Sequence, residues 1–347
     1  METLKLYSHT QDDILKASNL LKNGEVVAIP TETVYGLGAN ALDENAVLKI
    51  FQAKGRPQDN PLIIHISSID WLYKLCDFVP EIALKLADNF WPGALTLVLK
   101  KSSLVPSSIS RGLDTVAIRF PSHKVALQVI SNAGVPIAAP SANTSGRPST
   151  TTGDHVLEDL DTKISAILYD DICQIGLEST VLDLTQQQPI LLRPGGVTKE
   201  QIEKVIGKID VDKAVFEKIE NDKKVNSPGM KYRHYAPKAE LLVLTGDNQK
   251  TAQYIKDNAF ENCGVLCFDE FSDFISHKNT LSFGSVSDAN EQAKYLFSNL
   301  RKFDDMNVSK IFAQCPSDNG LGLAITNRLK KASGFNILNI RWYLWQF

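Results

Sequence analysis

The sequence predicts a mixed α/β fold in two domains, and three observations carry that prediction. Apolar runs of strand length alternate with segments of helical period from the N-terminus to about residue 206. The alternation stops between about 208 and 226, where Lys, Glu and Asp crowd together and apolar residues thin out, as in a solvated tether. It restarts after Pro237. At 347 residues, 43% of them apolar, the chain is long enough for two domains that each bury a core. The expected limits are 1–207 for the first domain, 208–237 for a linker and 238–347 for a smaller second domain.

Each element has a local cause. Thr10 followed by Asp13 signals a helix start, with Ile14, Ala17 and Leu21 on one face and Gly24 placed to close it. "EVVAIPT" reads as an apolar strand running into a turn. Asp43 is placed to cap a second helix reaching about Ala53, and "PLIIHIS" is another buried strand. Pro80 opens a helix that ends near "FWPG". "ALTLVLKK" and "TVAIRFP" are strands, followed by a helix from Ser122 to about Asn132 and then by "VPIAAP". Residues 141–154, "SANTSGRPSTTTGD", form a long hydroxyl-rich loop, a length that marks a functional or a disordered segment. "ESTVLDLT" and "PILLRPGG" are short strands, and Thr198 with Gln201 makes a capping box for one more helix. Beyond the tether, "AELLVLTG", "CGVLCFD", "KIFAQCP" and "FNILNI" alternate with helices over 248–258, 288–303 and "LGLAITNRLKKA". That order is Rossmann-like, although the Gly-rich dinucleotide fingerprint is missing.

Composition narrows the function. A formal charge of −3 argues against a protein that coats nucleic acid through overall basicity, so any RNA contact needs a local patch. Five scattered cysteines fit reduced thiols better than a disulfide framework, and the Cys263/Cys267 pair lacks the second pair a zinc site needs. The first residues lack a leader pattern and the chain lacks a bilayer-length apolar run, which predicts a cytoplasmic protein. Walker A, H-E-x-x-H and G-x-S-x-G motifs are missing, so the commonest nucleotidase, metalloprotease and hydrolase routes lose support.

Polar residues gather at strand ends. "PTETVYGLGA" is either a strand-to-helix turn or a place where backbone at Gly36 and Gly38 closely approaches a ligand. Lys54 and Arg56 flank a glycine, where they complement a helix dipole or meet an anion. Asn60 and His65 follow on a turn and a buried strand, and His65 is a satisfied core histidine unless other polar groups converge on it. Arg119 interrupts an apolar strand and needs an anionic partner. That partner is either an internal carboxylate, such as Asp114 or Glu178, or a carboxylate or phosphate of a ligand, which a guanidinium grips bidentately. Ser141, Asn143, Ser145, Ser149, Ser179 and Arg193 complete a set of cations and hydroxyls suited to a polyphosphate whose charge is neutralised in place.

"PTETVYGLG", "KGRPQDNPL", "WPGALTLVL", "VAIRFPSH", "APSANTSGRPS", "GLESTVLDL" and "LRPGG", followed by the connector "SPGMKYRHYAP" at 227–237, occur in an order that resembles the two-domain threonylcarbamoyl-AMP synthase family. The resemblance covers nearly the whole chain. It implies a YrdC-like twisted open α/β catalytic domain plus a smaller Rossmann-like α/β C-terminal domain. The implied reaction makes L-threonylcarbamoyladenylate and pyrophosphate from L-threonine, bicarbonate or CO2, and ATP. The product serves threonylcarbamoylation of the adenosine beside the anticodon in tRNAs that read ANN codons.

By the same resemblance, Lys54 and Arg56 act catalytically, and Thr33, His65, Arg119, Ala139 and Ser179 contact L-threonine. Arg56, Asn60, Thr115, Ser141, Ser149, Arg193 and Tyr235 contact ATP. Mg²⁺ comes with ATP, without a dedicated protein metal site. The adenylate passes to a tRNA-modifying transferase complex; a weak tRNA contact stays open, and no membrane is involved. A labile adenylate must be kept from water, so Tyr235, with Lys231, Arg233 and His234, is expected to close over the nucleotide or to dock the connector. Two other functions compete. One is the carbamoyl-transfer domain of hydrogenase maturation, whose acylphosphatase-like and zinc-finger segments are missing here. The other is a non-catalytic RNA-binding module, which would leave the small-ligand residues unexplained.

Overall fold

A computed structural model describes residues 2–57, 59–217 and 234–340. Contacts divide them into two compact units: the first runs to Val215 apart from Gly146–Pro148, which group with the second. In the first unit the strands are β1 (Leu4–Tyr7), β2 (Val27–Ile29), β3 (Gly36–Asn40), β4 (Ile63–His65), β5 (Leu95–Lys100) and β6 (Thr115–Arg119). They continue with β7 (Ile137–Ala138), β8 (Ala166–Tyr169), β9 (Thr180–Asp183), β10 (Ile190–Arg193) and β11 (Asp210–Val211). All eleven join one mixed sheet, in the order β1-β8-β2-β3-β7-β4-β6-β5-β9-β10-β11.

The local signals explain most of these elements. The Gln11–Lys22 helix buries Ile14, Ala17 and Leu21 against Val27, Ile29, Ile137 and Leu168 of the sheet. Asp43 accepts from the amides of Asn45 and Ala46 and so caps the Glu44–Lys54 helix. Thr198 and Gln201 form both bonds of the expected capping box. β4 is buried at every residue, which is why its sequence is a continuous apolar run rather than an alternation.

"PTETVYGLGA" departs from the strand-to-helix reading. Thr31 Oγ1 accepts from the amides of Thr33 and Val34 and folds the chain into a tight turn. Residues 36–40 then return as β3, antiparallel to β2. A Cβ on Gly38 would lie 3.1 Å from Ile137 Cγ2 and 3.2 Å from Leu21 Cδ2, so a side chain there would crowd the core. Three strands of this unit carried no clear signal: β1 and β8, both four residues long, pair in parallel at the sheet edge, and β11 pairs with β10 where the tether was expected to begin.

The second unit has five strands, β12 (Glu240–Thr245), β13 (Cys263–Cys267), β14 (Thr280–Ser282), β15 (Lys310–Gln314) and β16 (Ile337–Asn339). They pair in parallel in the order β14-β13-β15-β12-β16. Helices Asn248–Asn258, Ala289–Asp305 and Leu321–Ala332 lie where helical periodicity placed them. Ala293, Leu296 and Leu300 of the long helix are buried. All five cysteines are free and buried. Among the described residues, no helix is long and apolar enough to cross a membrane.

Candidate active site

One face of the first sheet changes character along its strands. The registers place His65 beside Arg119, Arg119 beside Thr96, and Thr96 beside Val181. Side chains two residues apart share a face. Ile63, Ala117, Val98 and Val181 therefore occupy the same face, where they pack with Leu192 and Ala214. At the other end of these rows stand His65, Arg119, Thr96 and Ser179. A hydrophobic core gives way to polar chemistry within one residue pair.

Arg119 is the centre of that polar end. Its Nη1 donates to Thr33 Oγ1 at 2.8 Å, its Nε donates to Gly93 O at 3.2 Å, and its Nη2 lies 2.6 Å from Glu32 Oε1. Both ions are buried. Burial pushes the Glu32 carboxyl up, but the charge of Arg119 and hydrogen bonds from Arg119 and the Ser122 amide outweigh it and hold the group below its ordinary value. The internal partner is thus Glu32 and not Asp114 or Glu178; Glu178 instead accepts from Ser149 Oγ at 2.5 Å. Each guanidinium nitrogen has one protein contact, which leaves a second N–H on Nη1 and on Nη2.

His65 lies beside this pair. Burial first, and then the neighbouring Arg119 charge, push its pKa down to about 3, so the ring is neutral at ordinary pH. Its Nδ1 is buried without a hydrogen-bond partner among the described residues. Below pH 6.5 the unfolded chain binds a proton at this histidine that the folded one does not take until about pH 3. Stability therefore falls as the pH is lowered from 6.5 to about 3, by up to about 1.4 kcal/mol per pH unit from this group. Urea unfolding of wild type and His65→Asn at stepped pH checks it: the variant loses that part of the slope.

On the other side, Thr96 Oγ1 meets Ser179 Oγ at 2.7 Å. Arg193 donates from Nε and Nη2 to Ser179 O at 3.1 and 2.9 Å, and from Nη2 to Ser179 Oγ at 3.2 Å. A Cβ on Gly195 would sit 2.3 Å from Glu178 O and 2.4 Å from Thr180 N, so only glycine lets "PGG" fold onto this backbone. Ala139 joins the sheet through its amide N–H, which donates to Ile63 O at 3.0 Å.

Lys54 also ties the site together. Its buried Nζ donates to Ser141 O and Asn143 O, both at 2.5 Å, and so ties the helix end to the hydroxyl-rich loop. Ser145 N returns a bond to Lys54 O. Arg56 is half-buried and donates to Pro61 O at 3.2 Å. Asn60 is buried with Oδ1 unpartnered among the described residues. Thr115 stands apart from the polar cluster: it begins β6, four residues and about 13 Å from Arg119.

Tyr235 belongs to the second unit, where it is buried, stacks on Phe297 at 5.1 Å between centroids, and has Arg328 Cζ 5.5 Å from its ring. Lys231 and Arg233 lie outside the described residues. Among the described residues, no group of three or more His, Cys, Asp or Glu side chains is placed to hold a metal ion.

Sequence reasoning passed over Glu32 and Thr96. A usable signal existed for each: a carboxylate between two threonines at the end of an apolar strand, and a hydroxyl inside "ALTLVLKK". Each is a polar group where burial demands a partner.

A family model named Sua5_yciO_yrdC, with the description "Telomere recombination", matches residues 19–195. The chain belongs to the Sua5/YciO/YrdC family. A second model, "Threonylcarbamoyl-AMP synthase, C-terminal domain", matches residues 197–334, so this member has the two-domain form. The Sua5/YciO/YrdC chain is 50% identical over 326 residues to the threonylcarbamoyl-AMP synthase of Pyrococcus abyssi, covering 93% of itself and 95% of that protein. It is 48% identical over 335 residues to the protein of that name from Bacillus subtilis, covering 95% and 96%. Among solved structures, that of P. abyssi Sua5 complexed with L-threonine matches with a TM-score of 0.89 at 45% identity, covering 98% of this chain and 99% of the other. The expected fold, a YrdC-like α/β domain followed by a smaller α/β domain of the Sua5 type, is borne out.

Proposed function

We infer that the protein is an L-threonylcarbamoyladenylate synthase. It combines L-threonine, bicarbonate or CO2, and ATP, releases pyrophosphate, and supplies the modification of the adenosine beside the anticodon in tRNAs that read ANN codons. The observation that carries this reading is the buried polar end of the sheet, Thr33–Arg119–Thr96–Ser179–Arg193, in a chain whose near-full-length relatives are named for that reaction.

The chemistry asks little covalent help of the protein. An unprotonated threonine amine takes up CO2 and releases a proton, forming a carbamate. A carbamate oxygen then attacks the α-phosphate while the bond to the pyrophosphate oxygen breaks in line. Positioning and charge neutralisation dominate such a transfer. Arg119, through its two remaining N–H groups, takes the threonine carboxylate. Thr33, neutral His65, Ser179 and the backbone at Ala139 surround the rest of the amino acid. Arg56, Asn60, Thr115, Ser141, Ser149, Arg193 and Tyr235 serve the nucleotide; Lys54 and Arg56 act catalytically on its phosphates, and Lys54 also holds the loop that carries Ser141. ATP enters as its Mg²⁺ complex, the ion being carried by phosphates and water. The catalytic role falls to the first unit, expected at 1–207 and carried on by β11 to Val215, the accessory role to the second, expected at 238–347, and the linker role to the segment between them. The adenylate is consumed by a tRNA-modifying transferase complex in the cytoplasm, which suits five free thiols.

Incubation with MgATP, labelled bicarbonate and threonine tests the reading. Threonine-dependent pyrophosphate and a labelled carbamoyl-adenylate are expected. Pyrophosphate release indifferent to threonine would overturn it.

A further inference from the structure

The Arg119 subsite contains a carboxylate that no step above uses. Glu32 sits on the Thr31–Val34 turn, and that one turn holds Arg119 twice, through Glu32 Oε1 on Nη2 and Thr33 Oγ1 on Nη1. The Ser122 amide donates to Glu32 Oε1 at 3.1 Å and fixes the carboxylate from behind. Gly93 O occupies the third guanidinium nitrogen, so the plane of Arg119 and the directions of its two remaining N–H groups are set before any ligand arrives. Glu32 also cancels the charge of Arg119 at close range, and its Oε2 is buried without a partner among the described residues. His65 beside them is neutral, and Arg193 is engaged with Ser179 on the far side of Thr96.

We propose that Glu32 is a positioning and selectivity residue, which orients Arg119 and cancels its charge so that this pair accepts a zwitterionic α-amino acid in preference to a net anion. An unmatched buried arginine would attract any carboxylate or phosphate, including those of ATP. With Glu32 in place, a ligand carboxylate is best received with a positive charge of its own, which the α-ammonium of the entering zwitterion supplies before it gives up its proton to solvent and takes up CO2. The inference rests on the reading of Arg119 as the holder of the threonine carboxylate.

The test uses the full-length enzyme as wild type, Glu32→Gln and Glu32→Asp, with pyrophosphate release as the readout. The probe anion is 2,3-dihydroxybutanoate, which is threonine with hydroxyl in place of the amine, assayed as an inhibitor. In Glu32→Gln the threonine KM rises about tenfold or more while the ATP KM stays within about twofold. The probe's Ki does not rise with the threonine KM, so the preference for threonine over the anion shrinks by about tenfold. Glu32→Asp keeps the charge, so it raises the threonine KM and retains the preference. It carries the test alone if the Gln variant does not fold, and loss of the preference in it would overturn the proposal. An unchanged preference in folded Glu32→Gln, or equal rises in the two KM values, would also overturn it. Absence of threonine-dependent turnover in the wild type would instead remove the functional reading beneath it.

Discussion

Arg119→Ala raises the threonine KM far more than the ATP KM, with a loss on the order of 2–4 kcal/mol, roughly 30- to 1000-fold. The contacts explain the asymmetry. Arg119 is tied to Thr33, Gly93 and Glu32 at the threonine end, while the groups assigned to the nucleotide do not depend on it. The substitution also leaves Glu32 buried without its counter-ion, which costs about 3–5 kcal/mol of stability if the carboxylate stays ionised. The pH dependence therefore changes sign. In the wild type the lowered Glu32 pKa gives stability that is present above its unfolded value and lost as the pH falls through the folded one. In Arg119→Ala only burial acts strongly on Glu32, its pKa is raised, and stability is lost as the pH rises. Steady-state kinetics for both substrates, with urea unfolding between acidic and neutral pH, measure both effects. Equal losses for threonine and ATP in a folded variant would contradict the assignment.

Lys54→Met lowers kcat/KM for ATP by about 100-fold or more, with a smaller effect on threonine. The side chain keeps its volume but leaves Ser141 O and Asn143 O without their buried donor. Each orphaned carbonyl costs about 1–3 kcal/mol, and the loop that presents Ser141 loses its tie to the Glu44–Lys54 helix. Pyrophosphate release at saturating threonine, set beside thermal unfolding, separates the catalytic loss from simple instability. Unchanged ATP kinetics would show that the loop keeps its shape without Lys54.

Much of the fold was legible because its causes are local. Asp43 and the Thr198–Gln201 pair cap helices through bonds to residues two or three positions away. β4 reads as buried because its run is unbroken by polar residues until His65. Two readings failed for the opposite reason. "PTETVYGLGA" holds a turn and a returning strand because residues 36–40 pair with β2 and β7, with β7 and the Gln11–Lys22 helix packed closely at position 38, and β7 is far away in sequence. β1 and β8 are each too short to show a period, and each gains its identity from the other.

The candidate site divides in the same way. The sequence by itself determined which residue types bear charge and hydroxyls, that they fall at strand ends, and that Arg119 on an apolar strand requires an anion. Tertiary structure alone decided that this anion is Glu32, that Lys54 Nζ bonds two loop carbonyls, and that Ser179 links Thr96 to Arg193. The physical reason is that a cap or an amphipathic face is satisfied within a turn or two of chain. A buried charge is satisfied by whichever strand the sheet order brings beside it.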